Sequence, residues 1–96
     1  MPRSHLPHKT DDNHLATMQI FRSLGWTVHD THTVGNGFPD FVAGRNGYNL
    51  LVEVKRDAKA PFTKPEIAFR EKWRGKLVAV WDEDSAVQAA SRRPGT

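Results

Sequence analysis

The sequence predicts an α/β fold: a small mixed β-sheet with flanking helices, in the order α-β-β-β-α-β-α. Three observations predict it. Asn46-Gly47 stands between two apolar runs, around Phe41 to Ala43 and Tyr48 to Val54. That dipeptide is a strong hairpin signal because both central residues of a type I′ turn take positive φ. Leu15, Met18, Phe21 and Leu24 recur at spacing three with Ile20 alongside, which reads as an amphipathic helix ahead of the sheet. A third apolar run, Leu77 to Trp81, follows a segment with helix start and stop signals, so a right-handed crossover can set it parallel to the second hairpin strand.

Taken in order, residues 1–10 carry two prolines, two histidines and few apolar groups, and read as a flexible arm. Asp11, Asp12 or Asn13 can cap the first helix, and Gly25 ends it as a C′ residue. Trp26 to Thr33 alternates weakly as a first strand, and Gly35-Asn36-Gly37 breaks the chain before the hairpin. Gly37 reads as an ordinary turn glycine, with close approach of a phosphate as the other reading. Residues 56–62 form a polar loop, and Thr63-Lys64-Pro65-Glu66 is a capping box for a helix over 64–74 that stops at Gly75. Phe62 and Ile67 occupy the hydrophobic-staple positions. Asp82 or Asp84 caps a last helix over Ser85 to Ala90, leaving 91–96 as a flexible tail. A single domain thus spans 11–90.

The hairpin fixes which side chains meet. A two-residue loop pairs Arg45 with Tyr48, and counting outward sets Asp40 opposite Glu53. A four-residue loop, Gly44 to Gly47, slides the pairing by two positions and changes no side chain's face. Asp40, Glu53 and Lys55 share a face either way. Like charges directly across a strand pair are destabilising, and Leu50-Leu51-Val52-Glu53-Val54 is apolar on both faces, as in a strand covered on both sides. A divalent cation would compensate the two carboxylates. Oxygen-only ligands suit Mg²⁺ or Mn²⁺, with substrate phosphate completing the shell and Lys55 beside the same phosphate. This is a phosphodiesterase arrangement. The competing reading, Glu53 and Lys55 as a solvated i, i+2 pair, fits poorly with the apolar residues around them.

At these residues the sequence resembles the VRR-NUC branch of the PD-(D/E)xK nuclease superfamily, over about Asp12 to Ala86. The resemblance is carried by Phe21-Arg22-Ser23-Leu24-Gly25, Val34-Gly35-Asn36-Gly37-Phe38-Pro39-Asp40, Leu51-Val52-Glu53-Val54-Lys55, Phe62-Thr63-Lys64-Pro65-Glu66 and Phe69 to Gly75, in family order. It implies a restriction-endonuclease-like core, with Asp40 and Glu53 as metal ligands, the carbonyl of Val54 as a third, and Lys55 as the catalytic lysine. It implies structure-selective DNA cleavage in replication and repair, inside a bacterial or phage-infected cell; stand-alone phage members look like dimeric Holliday-junction resolvases. Two positions depart from the pattern. Aligned on Phe21-Arg22, the acidic residue many relatives carry in the first helix falls on Ala16, which leaves a second metal in question. A glutamine common at the start of the next helix is here Glu66, which the capping box explains as a cap.

The chain has 96 residues, enough for one domain with a limited core that a metal or a second chain could supplement, so a homodimer is plausible. Fourteen Lys and Arg against eleven Asp and Glu give a net charge of +3, which suits a polyanion, and Arg45, Lys55, Arg56, Lys59 and Lys64 are candidate phosphate contacts. The absence of cysteine removes disulfides, thiolate catalysis and cysteine zinc sites. No apolar run approaches the roughly 18 residues of a membrane span and no secretory pattern opens the chain, so a cytoplasmic location is the expectation.

Rival sites are weaker. His29 and His32 would point to opposite faces of a strand and so could not share one ion, which argues against zinc there. His5, His8 and His14 lack a fixed geometry if they belong to an arm. Trp26, Trp73 and Trp81 lie in or beside apolar runs, where core packing outweighs base stacking. Two other functions stay open: a DNA-binding module on a nuclease fold that no longer cuts, and a structural or assembly protein of the same origin.

Overall fold

In the computed structural model, which describes residues 9–93, Asn46 and Gly47 take φ of 53° and 80° and close the two-residue hairpin. The strands it joins are β2 (Phe41–Arg45) and β3 (Tyr48–Val54), in the expected register from Arg45 opposite Tyr48 to Phe41 opposite Val52. They are flanked by α1 (Lys9–Ser23) and β1 (Thr27–Asp30) before, and by α2 (Lys64–Lys72), β4 (Leu77–Val80) and α3 (Glu83–Ala90) after, in the expected order. The sheet runs β1-β2-β3-β4, antiparallel at the first two junctions and parallel between β3 and β4.

Alternation along β3 divides the molecule into two sides. Tyr48, Leu50, Val52 and Val54 join Phe41, Ala43 and Val80 in a core with Met18 and Phe21 of α1 and Ala86, Ala89 and Ala90 of α3. Leu51 and Glu53 point to the opposite side and are also buried, so β3 is the doubly covered strand its apolar run predicts. Trp26 is core, as expected, and its indole N–H donates to the Ala90 carbonyl at 2.8 Å. No helix among the described residues is long and apolar enough to cross a membrane.

Several expectations are corrected. The buried stripe of α1 is His14, Thr17, Met18 and Phe21, while Leu15 and Leu24 are exposed. Residues three apart fall about 60° behind at each step, so Leu15 and Leu24 end on opposite sides of the helix, whereas i, i+3, i+4, i+7 keeps one face. Helix α1 also takes in Lys9 and Thr10, assigned to the arm by sequence; residues 1–8 and 94–96 lie outside the described residues. Trp73 and Trp81 are surface residues rather than core. Helix α2 buries none of its residues, and Trp73 follows it, stacked on Phe69 and donating to the Lys76 carbonyl; Trp81 comes just after β4 has ended. β1 stops at Asp30, and α2 stops at Lys72. Arg45 is not placed as a phosphate contact: its guanidinium lies over Trp26 and donates to the carbonyls of Leu24 and Arg92. The last of these bonds also ties down the start of the expected tail.

The Gly35-Asn36-Gly37 break has a structural purpose that neither sequence reading anticipated. All three residues have positive φ, and a Cβ added to Gly37 would stand 2.2 Å from the Pro65 carbonyl oxygen. Backbone therefore meets backbone where this loop packs on the first turn of α2. Phe38 completes the junction by meeting Phe69 edge to face at 5.3 Å. Gly37→Ala is expected to displace α2 and cost about 2–4 kcal/mol, through both the contact and the positive φ, read as a lowered urea midpoint.

Candidate active site

The site lies on the sheet face opposite the main core, at the open end of the β2–β3 pair, away from the Asn46-Gly47 turn. Strand parity places Asp40, Glu53 and Lys55 there, as the sequence requires. Asp40 is fixed by its backbone and its side chain together. Its N–H donates to the Val52 carbonyl (2.9 Å), its carbonyl accepts from Thr31 N–H (2.8 Å), and its Oδ2 accepts from Val54 N–H (2.8 Å). Proline at 39 removes a donor and fixes φ just before this residue, and the Pro39 carbonyl is held by the Thr31 hydroxyl at 2.8 Å. Val54, the residue between the acid and the lysine, turns its side chain into the core and presents backbone to Asp40.

Glu66 is the residue whose place the sequence reading understated. The capping box is present: Glu66 N–H donates to Thr63 Oγ1 at 3.3 Å, and Thr63 N–H donates to Glu66 Oε1 at 2.9 Å. The same Oε1 also accepts from Lys55 Nζ at 3.0 Å, and the Glu66 carboxylate accepts a hydrogen bond from the Glu53 carboxyl. One side chain thus caps α2 and brings a third carboxylate to the site. The staple reading of Phe62 is not what packs it. Its ring lies under Lys55 Nζ at 4.8 Å and the Arg70 guanidinium at 4.3 Å, while Ile67 faces solvent.

Three carboxylates around one lysine leave an excess of negative charge in a poorly solvated place. Burial pushes Glu53 up to about 9, reinforced by its hydrogen bond to Glu66 and by the charges of Asp40 and Glu66, with Lys55 only partly opposing. Burial also raises Asp40, against the lowering effect of its bond from Val54 N–H. Glu66 is lowered overall: desolvation raises it, but bonds from Glu53, Thr63 N–H and Lys55 outweigh that. The metal-free site therefore keeps a proton on Glu53, shared toward Glu66. A carboxyl that burial first, and then its anionic neighbours, keeps protonated at neutral pH belongs to a donor set matched to a hard divalent cation, which would replace that proton.

Helix α1 reaches the site's edge through Asn13, whose side-chain amide donates to the Lys55 carbonyl at 3.2 Å. Ala16 faces solvent, so no ligand comes from that position. Beyond Asn13, His14 is buried, with its Nε2 3.1 Å from Asp30 Oδ1, and His32 Nδ1 lies 2.8 Å from the same oxygen. His14 thus belongs to the folded helix and not to an arm, and the partner of His32 is His14 rather than His29. A helix-borne histidine meeting a turn residue 18 positions later leaves no periodic trace in the sequence. Comparison with protein-family models and with curated proteins finds no match for the chain.

Proposed function

We propose that the protein is a metal-dependent endonuclease that hydrolyses phosphodiester bonds in DNA, of the VRR-NUC type that its motifs resemble. The observation that carries this reading is the gathering of three carboxylates, Asp40, the buried Glu53 and Glu66, with Lys55 held by Glu66 among them. Asp40 and Glu53 would hold Mg²⁺ or Mn²⁺, with the Val54 carbonyl completing the protein's ligands as the resemblance implies. The ion, when bound, supplies polarisation of the scissile phosphate and a more acidic water.

The chain's own residues do the rest. Val54 N–H holds the Asp40 carboxylate in a fixed orientation, so no reorganisation is needed when the phosphate arrives. Lys55, carried on the Phe62 ring and restrained by Glu66, places its ammonium on the carboxylate face, where it can stabilise the charge that develops on the phosphate. Glu66 holds Lys55 and thereby acts as a positioning residue. Lys59 and Lys64 are exposed and, with the net positive charge, support a polyanionic substrate. Branched DNA cut by a homodimer is the specific substrate class that the resemblance favours.

Calorimetric titration with Mn²⁺ tests the reading. Wild type binds the ion and releases a proton at pH 7, and Glu53→Ala loses both. The Lys55–Glu66 ion pair also suits a DNA-binding module whose lysine is held away from chemistry. Such a module would bind DNA with no dependence on Mn²⁺.

A further inference from the structure

We infer that His14, Asp30 and His32 form a second metal site, distinct from the carboxylate face, for a zinc-type divalent transition ion. The three side chains come from different places: α1, the last residue of β1, and the turn that follows it. They nevertheless bring one ligand atom each to within 4.8 Å of one another, among the described residues. The set is two imidazole nitrogens and one carboxylate oxygen, which is softer than the all-oxygen set at Asp40 and Glu53 and suits Zn²⁺ over Mg²⁺. The oxygen-only site and the nitrogen-containing site would therefore sort two kinds of ion on one small sheet.

The positions of the groups suit ion capture from solvent. The side chain of His14 is 8% exposed and that of His32 is 53% exposed, so one ring is a fixed anchor and the other closes over it from outside. The two rings stand edge to face with centroids 5.2 Å apart, which lets both nitrogens face the carboxylate without stacking. Asp30 Oδ1 accepts from His32 N–H at 3.0 Å as well as facing both imidazoles, and none of these bonds uses Oδ2. Three protein ligands leave a fourth position for water.

A bound ion would clip α1 to the end of β1. Asp30 pairs with Phe41, and Thr31 bonds to both Pro39 and Asp40, so the clip would stiffen the backbone that carries Asp40. The inference does not require the nuclease reading.

The test is calorimetric titration of the full chain with Zn²⁺ in excess Mg²⁺, in a His5→Ala/His8→Ala background that removes the histidines of the N-terminal segment. One Zn²⁺ per chain is expected, together with a raised thermal midpoint. His32→Ala, at an exposed position, should weaken binding by at least about 100-fold, more than the loss of an outer-shell partner costs. Glu53→Ala should leave Zn²⁺ binding intact, which separates this site from the carboxylate site. Asp30→Asn gives a second, shape-conserving reading should His32→Ala lose its fold. Absence of Zn²⁺ binding in the background protein, or equal binding after His32→Ala and Asp30→Asn, would leave only a hydrogen-bonded trio and overturn the inference.

Discussion

Glu53→Gln is expected to stabilise the metal-free protein at pH 8 while abolishing metal-dependent cleavage. In the folded chain Glu53 is pushed up to about 9 from an ordinary 4.5, by burial first and then by Glu66 and Asp40. Between those values the folded state holds a proton that the unfolded chain has released. Stability is therefore full below about pH 4.5 for this group and declines as pH rises toward 9. The decline is on the order of several kcal/mol, a large part of what a domain of this size possesses. The raised Asp40 acts in the same direction. Glu66, lowered overall, and Asp30, lowered to about 2 by His32 and His14 against its desolvation, act oppositely and matter only under acid. In EDTA the thermal midpoint should fall by more than about 10 °C between pH 5 and pH 9 in wild type. Glutamine cannot ionise, so the variant's midpoint should fall much less across that window, with only Asp40 left to act in that direction. A residue retained at such a cost to the fold is best explained by what it binds. Saturating Mn²⁺ should recover much of the wild-type loss at pH 8 and little of anything in the variant.

Lys55→Ala is the second large effect. It should lower cleavage by at least about 10³-fold, the scale on which one preorganised electrostatic group contributes in a water-poor site. Removal of the ammonium also leaves Glu66 and Glu53 without the cation that opposes their charge, so the variant should hold Mn²⁺ no more weakly than wild type. That split, chemistry lost and metal retained, separates a catalytic lysine from one that only balances charge. Lys55→Arg tests position as well as charge. A planar guanidinium meets Glu66 in a different geometry and should rescue only a small part of the rate.

The parts of this architecture that local chemistry dictates were readable in advance. Asn46-Gly47 signalled a tight turn of two or four residues, the two-residue one forms, and strand parity put Asp40, Glu53 and Lys55 on one face under either. Thr63 announced the start of α2 by its capping position; of the two caps offered for the last helix, Asp82 is the one used, and α3 begins at Glu83 rather than Ser85. What escaped the sequence depends on contacts between distant segments. Glu66 was legible as a cap, but its reach to Lys55 requires the crossover that lays the first turn of α2 over β3. His14 reads with the histidines of the arm although the capping signals at 11–13 already put it in the first helix, and its meeting with Asp30 and His32 is a contact between distant segments. Trp73 and Trp81 looked like core because aromatic residues beside apolar runs usually are; α2, which Trp73 follows, buries no residue of its own, and Trp81 comes after β4 has ended. Gly37 is the same lesson in miniature, since the approach of Pro65, added to its positive φ, explains why no side chain can stand there.

Cleavage of DNA is the most direct measure of the central claim, that the Asp40, Glu53 and Lys55 face is a hydrolytic centre. Purified wild type, Asp40→Asn and Lys55→Ala are incubated with four-way-junction, flap, nicked and linear duplex DNA, in Mg²⁺, in Mn²⁺ and in EDTA. The account predicts that wild type cuts at least one of these substrates in Mg²⁺ or Mn²⁺ alone, and that both variants lose that cutting while remaining folded. Cleavage that persists undiminished in Asp40→Asn and Lys55→Ala, or no cleavage of any substrate by wild type that binds Mn²⁺ at Glu53, would contradict it.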